Sequence, residues 1–405
     1  MKLAELEGKK ILIVGMGSEG KATLKFLKKH LQDAQIETVD EKSGPNYLDK
    51  QENYDLAIKS PGVALSALNI PFTTSTNIFF ANFRGYTIGI TGTKGKSTTT
   101  KLTYDILKAA HKPALLAGNI GVPMLEALEK NNVEETIAVC ELSSYQLEGF
   151  NYSPNIAAIT NIYNAHLPHH QGRDNYVAAK ASILGKATPE TIYLYNPDFR
   201  ELVELAQQTP AQTIAISKKP LAQPTQLAGD FNAANIVMAQ TIATILEVPK
   251  SIIVAAINGF EPLPHRQQLL GTFRSIKFYD DATSTTPEST VAALETLQPV
   301  DTLLLGGQDT GYDFSSLAAT LLKTNVHNLV LFPDSGTKIK KLLADEQFNI
   351  LETTSMEEAV KFAYEHTRPG GICLLSTATP SFTVWSSYLE KADLFKKFAE
   401  KFGKE

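Results

Sequence analysis

Residues 89–100 read Gly-Ile-Thr-Gly-Thr-Lys-Gly-Lys-Ser-Thr-Thr-Thr, directly after the apolar, β-prone run Thr87–Ile90. Two glycines, a lysine and a hydroxyl at this spacing are what a triphosphate needs. Gly92 and Gly95 let the backbone turn its N–H groups inward. A helix expected from Thr98 onward offers free N–H groups to an anion. Lys96 can act as a point charge on the β- and γ-phosphates, and the Ser97 hydroxyl can ligate Mg²⁺. The general pattern G-x-x-x-x-G-K-[ST] wants a glycine where Ile90 stands, so this loop is shorter than that pattern. A capped helix after a glycine turn is the plain alternative. The preceding strand and the adjoining Gly95-Lys96-Ser97 favour a phosphate loop, and hence an ATP-using protein.

Other chemistry-bearing residues follow further strands. Glu141 follows the apolar run Thr136–Cys140, in Glu141-Leu-Ser-Ser144-Tyr-Gln146-Leu-Glu. A carboxylate at the end of a strand beside a phosphate loop can hold Mg²⁺, although taken alone it reads as a solvated turn residue. After Ala157–Thr160 comes Asn161-Ile-Tyr-Asn164-Ala165-His166-Leu-Pro-His169-His170. Three histidines in five residues suggest zinc, but they have no cysteine partners and not the usual spacing. His169 is expected to be an exposed loop residue and His170 structural. Lys180, within the helical pattern Asn175–Leu184, reads on its own as a surface lysine.

The elements that must position these residues alternate strand and helix. Lys10–Val14, the turn Gly15-Met-Gly17-Ser-Glu-Gly20, a helical pattern and the strand Ile36–Val39 ending in Asp40 make half of a dinucleotide-type unit. Leu56–Ile58 runs into Ser60-Pro61-Gly62. Thr191–Tyr195 and the helical Ala233–Leu246 extend the central part. Pro262 and Pro264 punctuate the chain before strands Ile276–Tyr279, Thr302–Leu305, Asn328–Leu331 and Ile372–Leu375. This order predicts an α/β fold with mostly parallel sheets in three domains, residues 1–84, 85–264 and 265–405. The 405 residues are 43% hydrophobic and 20% charged, with net charge −5, which speaks against a general nucleic-acid binder. Cys140 and Cys373 lie in apolar runs and read as buried, and two cysteines are too few for a disulfide framework. The polar N-terminus and the lack of any window near ~18 apolar residues point to the cytoplasm, with no membrane insertion.

Thr91–Thr99 resembles the nucleotide loop of the Mur ligases and folylpolyglutamate synthases, which use ATP to join an amino acid to a carboxylate. The resemblance then extends along the chain. Glu141-Leu-Ser-Ser144 is similar to the family segment whose Glu ligates Mg²⁺. Asn161–His170 is similar to Asn-x-x-x-Asp-His-Leu-Asp-x-His, with His166 at the second Mg²⁺ ligand and with Ala165 and Pro168 in place of two Asp. Lys180 matches a lysine carbamylated in that family. The implied ATP residues are Gly92, Thr93, Lys94, Gly95, Lys96, Ser97, Thr98, Asn232 and Asn235 (in Gly229–Asn235), Arg266 (in Leu263–Arg266) and Asp281. The implied metal ligands, for two Mg²⁺ ions, are Ser97, Glu141, His166 and Lys180 as its carbamate. Lys96, Glu141, His166 and Lys180 are implied to be catalytic.

At the front, Gly15, Gly17, Ser60, Pro61, Gly62 and Asn119 (in Gly118-Asn119-Ile120-Gly121) resemble the family's UDP-sugar site, a domain that folylpolyglutamate synthases lack. The implied architecture is a Rossmann-like UDP-binding domain, a P-loop-type ATPase domain and a Rossmann-like C-terminal domain. Tyr279–Glu288, Leu304–Phe314 and Leu375–Phe382, with Tyr388 beyond them, are most similar to the D-glutamate-adding branch. They place Thr283, Thr285, Thr310, Ser381, Phe382 and Tyr388 at the amino acid, with Thr283 and Thr310 where that branch has lysines. The substrates so implied are UDP-N-acetylmuramoyl-L-alanine and glutamate, joined by a monomeric enzyme of peptidoglycan synthesis. L-glutamate or another amino acid is one alternative. A non-catalytic nucleotide-binding protein is another, against which Glu141, His166 and Lys180 speak. A nicotinamide-dependent oxidoreductase built on the first glycine turn leaves the second loop unexplained.

Overall fold

A computed structural model describes residues 1–404 except 131–133, 217–218, 223–229 and 344–347, so that Gly229 of the Gly229–Asn235 motif lies outside the described residues. The chain forms two compact units, Met1–Thr225 with Asp230–Phe260, and Glu261–Glu405.

The first unit holds two sheets. One consists of β1 (Lys10–Val14), β2 (Gln35–Val39), β3 (Leu56–Lys59) and β4 (Phe72–Thr74), in the order β2-β1-β3-β4 and parallel throughout. The other consists of β5 (Tyr86–Thr91), β6 (Ala114–Gly118), β7 (Ile137–Glu141), β8 (Ile156–Ile159), β9 (Ile192–Tyr195) and β10 (Gln212–Ala215), in the order β10-β9-β8-β5-β7-β6 and again parallel. The second unit has β11 (Gln268–Phe273), β12 (Ile276–Asp280), β13 (Val300–Gly306), β14 (Asn328–Phe332), β15 (Asn349–Glu352) and β16 (Ile372–Leu375), in the order β11-β12-β16-β13-β14-β15. Only β11 runs antiparallel to its neighbour.

Helices cover both faces of such sheets, so central strands must be apolar on every residue rather than alternating. Ile11–Val14, all of β7 and all of β13 are buried. Cys140 and Cys373 are free, buried strand residues, and burial pushes both thiols up. Among the described residues no helix is long and apolar enough to cross a membrane.

The strand orders fix where ligands can sit. In each first-unit sheet the connections leave an inner strand in opposite directions, β1 in one and β5 in the other. Crevices open beyond the carboxyl ends of strands at such switch points. The loops after β1 and β3 carry Gly15 and Ser60; the loop after β5 leads into a helix that begins at Lys96, β7 ends at Glu141, and the loop after β8 carries His166.

Candidate active site

The phosphate loop leaves β5 at Thr91 and turns through Gly92 (φ +146°) and Gly95 (φ +78°), backbone conformations that L side chains rarely adopt. The helix starts at Lys96 with Gly95 as its cap, two residues before the expected start at Thr98. The short loop is used up sooner, which puts Lys96 and Ser97 in the first turn, where backbone N–H groups lack helical partners. The loop is clamped from the end of β8. Thr93 N–H donates to the Asn161 carbonyl (3.0 Å) and Lys94 N–H to Asn161 Oδ1 (2.8 Å), while Thr160 Oγ1 donates to the Lys94 carbonyl (2.6 Å). Thr93 Oγ1 meets the Tyr176 hydroxyl at 2.7 Å, and Lys96 Nζ donates to the Thr93 carbonyl at 2.9 Å.

Asn235, expected at the nucleotide, is buried beneath this loop: Thr99 Oγ1 donates to its Oδ1 (3.4 Å), and its own Nδ2 donates to Asn232 Oδ1 (3.4 Å). The two asparagines therefore brace the loop. A Cβ at Gly95 would overlap the Asn235 amide. Gly95→Ala is accordingly expected to cost on the order of 2 kcal/mol through strain and overlap together. Thermal unfolding would show this as a lower midpoint, with nucleotide affinity falling in parallel.

Glu141 is the last residue of β7 and fully buried. Its Oε1 accepts a hydrogen bond from Asn119 Nδ2 at 2.8 Å. Its Oε2 is buried and has no hydrogen-bond partner among the described residues. An orphaned carboxylate oxygen in a protein interior is costly unless a cation or donor meets it, so this residue fits a magnesium ligand and not the solvated turn. Lys180 is likewise buried rather than on the surface. Its Nζ donates to the Gly92 carbonyl (2.8 Å) and lies 4.7 Å from the centre of the Tyr176 ring. Burial, and then the Lys96 charge, hold its ammonium well below the ordinary lysine range, with Glu141 opposing. His166 adopts left-handed backbone (φ +55°). Desolvation of the ring, followed by the charges of Lys96, Lys180 and Lys94, holds its pKa below the ordinary histidine range although the residue keeps an exposed face, and the ring stays neutral and able to ligate.

A cavity of about 1000 Å³ in the first unit joins these groups to the front loops. It is lined by Gly15, Gly17, Ser60, Pro61 and Gly62 as well as Gly92, Thr93, Lys96, Asn119, His166 and Lys180. Lys94, Gly95, Ser97, Thr98 and Glu141 do not line it; of these, all but Lys94 are buried. Ser60 Oγ donates to the Gly15 carbonyl (2.6 Å), and the Asp40 carboxylate accepts from Met16 N–H (2.6 Å). Asp40 thus shapes the glycine turn itself.

His169 departs from the expected exposed loop. It is partly buried on the short helix Leu167–His170, with Nε2 3.1 Å from Glu148 Oε2. His170 is buried as expected, 3.0 Å from Ser144 Oγ. Sequence reasoning passed over Lys59, Glu148 and Tyr176. A lysine closing the apolar run Leu56–Ile58 was the available signal for Lys59.

In the second unit the expected residues cluster at the carboxyl ends of three adjacent strands, β12, β16 and β13. Asp281 is buried, accepting from Ser376 Oγ (2.8 Å) and Gln267 N–H (3.2 Å). Thr283 Oγ1 donates to the His265 carbonyl (2.8 Å). The hydroxyls of Thr310 and Ser381 are buried without a hydrogen-bond partner among the described residues, whereas Phe382 and Tyr388 are exposed. Thr285 is half-buried, and Arg266 lies close enough to Asp281 to lower its pKa in part.

Burial dominates and raises Asp281 from 3.8 to about 6. A folded-state pKa above the unfolded one means that the native state binds the extra proton. Its contribution to stability is therefore present below about pH 4 and lost as pH rises through 6, on the order of 3 kcal/mol in total. Urea unfolding at pH 4 and pH 7 is expected to show this slope, and Asp281→Asn to flatten it.

Known proteins match this architecture. A model of the Mur ligase middle domain matches residues 90–224, and one of the Mur ligase glutamate ligase domain matches residues 265–379. The chain is 31% identical to a UDP-N-acetylmuramoylalanine--D-glutamate ligase of Leuconostoc mesenteroides, over 98% of each chain. It is 30% identical to the protein of that description in Ligilactobacillus salivarius, over 100% of this chain and 99% of the other. Among solved structures, a UDP-N-acetylmuramate-alanine ligase of Thermotoga maritima superposes with a TM-score of 0.64 at 17% identity, covering 98% and 99% of the two chains. A MurF ligase of the same organism in complex with ADP superposes at 0.63 and 15% identity, covering 99% and 97%. The structures share the fold and the sequences share full length, and on these grounds the chain belongs to the Mur ligase family.

Proposed function

We propose that the protein joins D-glutamate to UDP-N-acetylmuramoyl-L-alanine at the expense of ATP, in the cytoplasm, as a step of peptidoglycan precursor synthesis. The full-length relatives carry that description. The observation that supports it on this chain is the single cavity shared by the Gly15 and Ser60 loops and by Lys96, His166 and Lys180. We assign residues 1–84 to the nucleotide-sugar, 85–264 to ATP and 265–405 to the amino acid.

In this reading the alanyl carboxylate attacks the γ-phosphorus and ADP departs, leaving an acyl phosphate. The glutamate amine then attacks the acyl carbon and loses a proton, and phosphate leaves with the bridging oxygen. To Lys96 and the N–H groups of the first helical turn we assign neutralisation of the charge on the transferring phosphoryl group. Magnesium, held by Glu141, Ser97, His166 and Lys180 as its carbamate, would supply further charge neutralisation. The suppressed basicity of Lys180 supports carbamylation, because only the neutral amine adds to CO₂, and the carbamate N–H keeps a donor for the Gly92 carbonyl. ¹³C-bicarbonate should give a carbamate NMR signal that is lost in Lys180→Ala; a spectrum without it removes the carbamate from the mechanism. In the second unit we assign the unpartnered hydroxyls of Thr310 and Ser381 to a glutamate carboxylate. Phosphate release should require ATP, the UDP-sugar and D-glutamate together. Equal release with L-glutamate would overturn the stereochemical assignment, and release without any amino acid would overturn the ligase reading.

A further inference from the structure

We propose that Glu148, His169 and His170 form a second metal site, for a first-row transition cation and best suited to zinc. Their ligand atoms all lie within 4.8 Å of one another. Glu148 Oε1 is the common vertex, 3.0 Å from His169 Nε2 and 2.8 Å from His170 Nδ1. Around a tetrahedral zinc with bonds of roughly 2.1 Å, neighbouring ligands stand about 3.4 Å apart. These contacts need to open by only a few tenths of an ångström to admit the ion.

Glu148 and His170 already have the hydrogen-bonded outer partners that orient a metal ligand, and His169 is held by ring packing. The second oxygen of Glu148 is held by Lys59 Nζ at 3.4 Å, and Lys59 is itself fixed by the Val63 carbonyl at 2.8 Å. The other ring nitrogen of His170 faces Ser144 Oγ at 3.0 Å. The His169 ring packs on Tyr145, with centres 4.3 Å apart. The fourth coordination position has room, because Glu148, His169 and His170 border a cavity of about 410 Å³.

The proton count balances. Without metal, the two rings point N–H groups at Glu148. On binding, each ring moves that proton through solvent to its other nitrogen and remains neutral, so His170 Nε2–H donates to the Ser144 hydroxyl, which can accept as well as donate. Two imidazoles and one carboxylate favour zinc over magnesium, which prefers oxygen ligands. Because His169 and His170 follow His166 within one short segment, a metal here pins the segment that carries it.

The test is calorimetric titration of the metal-stripped full-length protein with zinc chloride, alongside thermal unfolding. One zinc per chain is expected, with a higher unfolding midpoint. His169→Ala and Glu148→Gln should each weaken binding by at least about 100-fold, and Ser144→Ala by about 10-fold, with the metal-free unfolding midpoint of each variant recorded beside wild type. His166→Ala should retain the zinc. No stoichiometric binding overturns the proposal. So does zinc kept by His169→Ala and lost by His166→Ala, which would place the ion at the magnesium site.

Discussion

Lys96→Ala is expected to lower turnover by about 100- to 1000-fold, with acyl-phosphate formation falling in step. Lys96 is the first residue of the helix Lys96–Ala109, lines the cavity of about 1000 Å³, and bonds a carbonyl of its own loop at 2.9 Å. Removing a preorganised cation from a site where charge develops on a phosphoryl group typically forfeits on the order of 3–4 kcal/mol of transition-state stabilisation. The loop itself should persist. Thr93, Lys94 and Gly95 are held by Asn161, Thr160 and the space beside Asn235, none of which the substitution touches. Unchanged thermal unfolding together with collapsed phosphate release is therefore the expected pair of results. Turnover within tenfold of wild type would remove Lys96 from the proposed mechanism.

Glu141→Gln should separate stability from function. The buried carboxylate has one oxygen satisfied by Asn119 and one with no partner. Glutamine keeps the acceptor for Asn119 and replaces a desolvated charge with a neutral amide, so the metal-free protein should be as stable as wild type or more so. Magnesium should no longer raise its unfolding midpoint, and ligation should fall by about 100-fold or more. A variant that loses stability without magnesium, yet responds to magnesium as wild type does, would mean that Glu141 is structural.

How much of this was legible in the sequence follows from burial. Strands covered on both faces announce themselves, and β1, β5, β7, β13 and β16 fall within a residue or two of the apolar runs that predict them. The edge strands β10 and β15, Gln212–Ala215 and Asn349–Glu352, are largely exposed and carry no such run. β11 alternates exposed and half-buried residues on an antiparallel edge and is equally quiet. The turn at Gly92 and Gly95 was readable because its left-handed backbone calls for glycine.

Lys180 and Glu148 were not readable from the residues alone. Whether a charged side chain on a helix or a turn is solvated depends on what packs over it, and spacing does not carry that information. For Lys180 the family resemblance supplied what the spacing did not. Asn235, suggested at the nucleotide by its motif, packs against Gly95 and accepts from Thr99, a contact that spacing does not announce either.

In the proposed reaction the loop serves to activate a carboxylate rather than merely to bind or hydrolyse ATP. The most direct measurement starts from UDP-N-acetylmuramoyl-L-alanine carrying ¹⁸O in both oxygens of its alanyl carboxylate. With ATP and D-glutamate, the released inorganic phosphate is then analysed by mass spectrometry. An acyl phosphate requires one ¹⁸O atom in each phosphate released. Unlabelled phosphate, formed at the rate of product, would contradict the account.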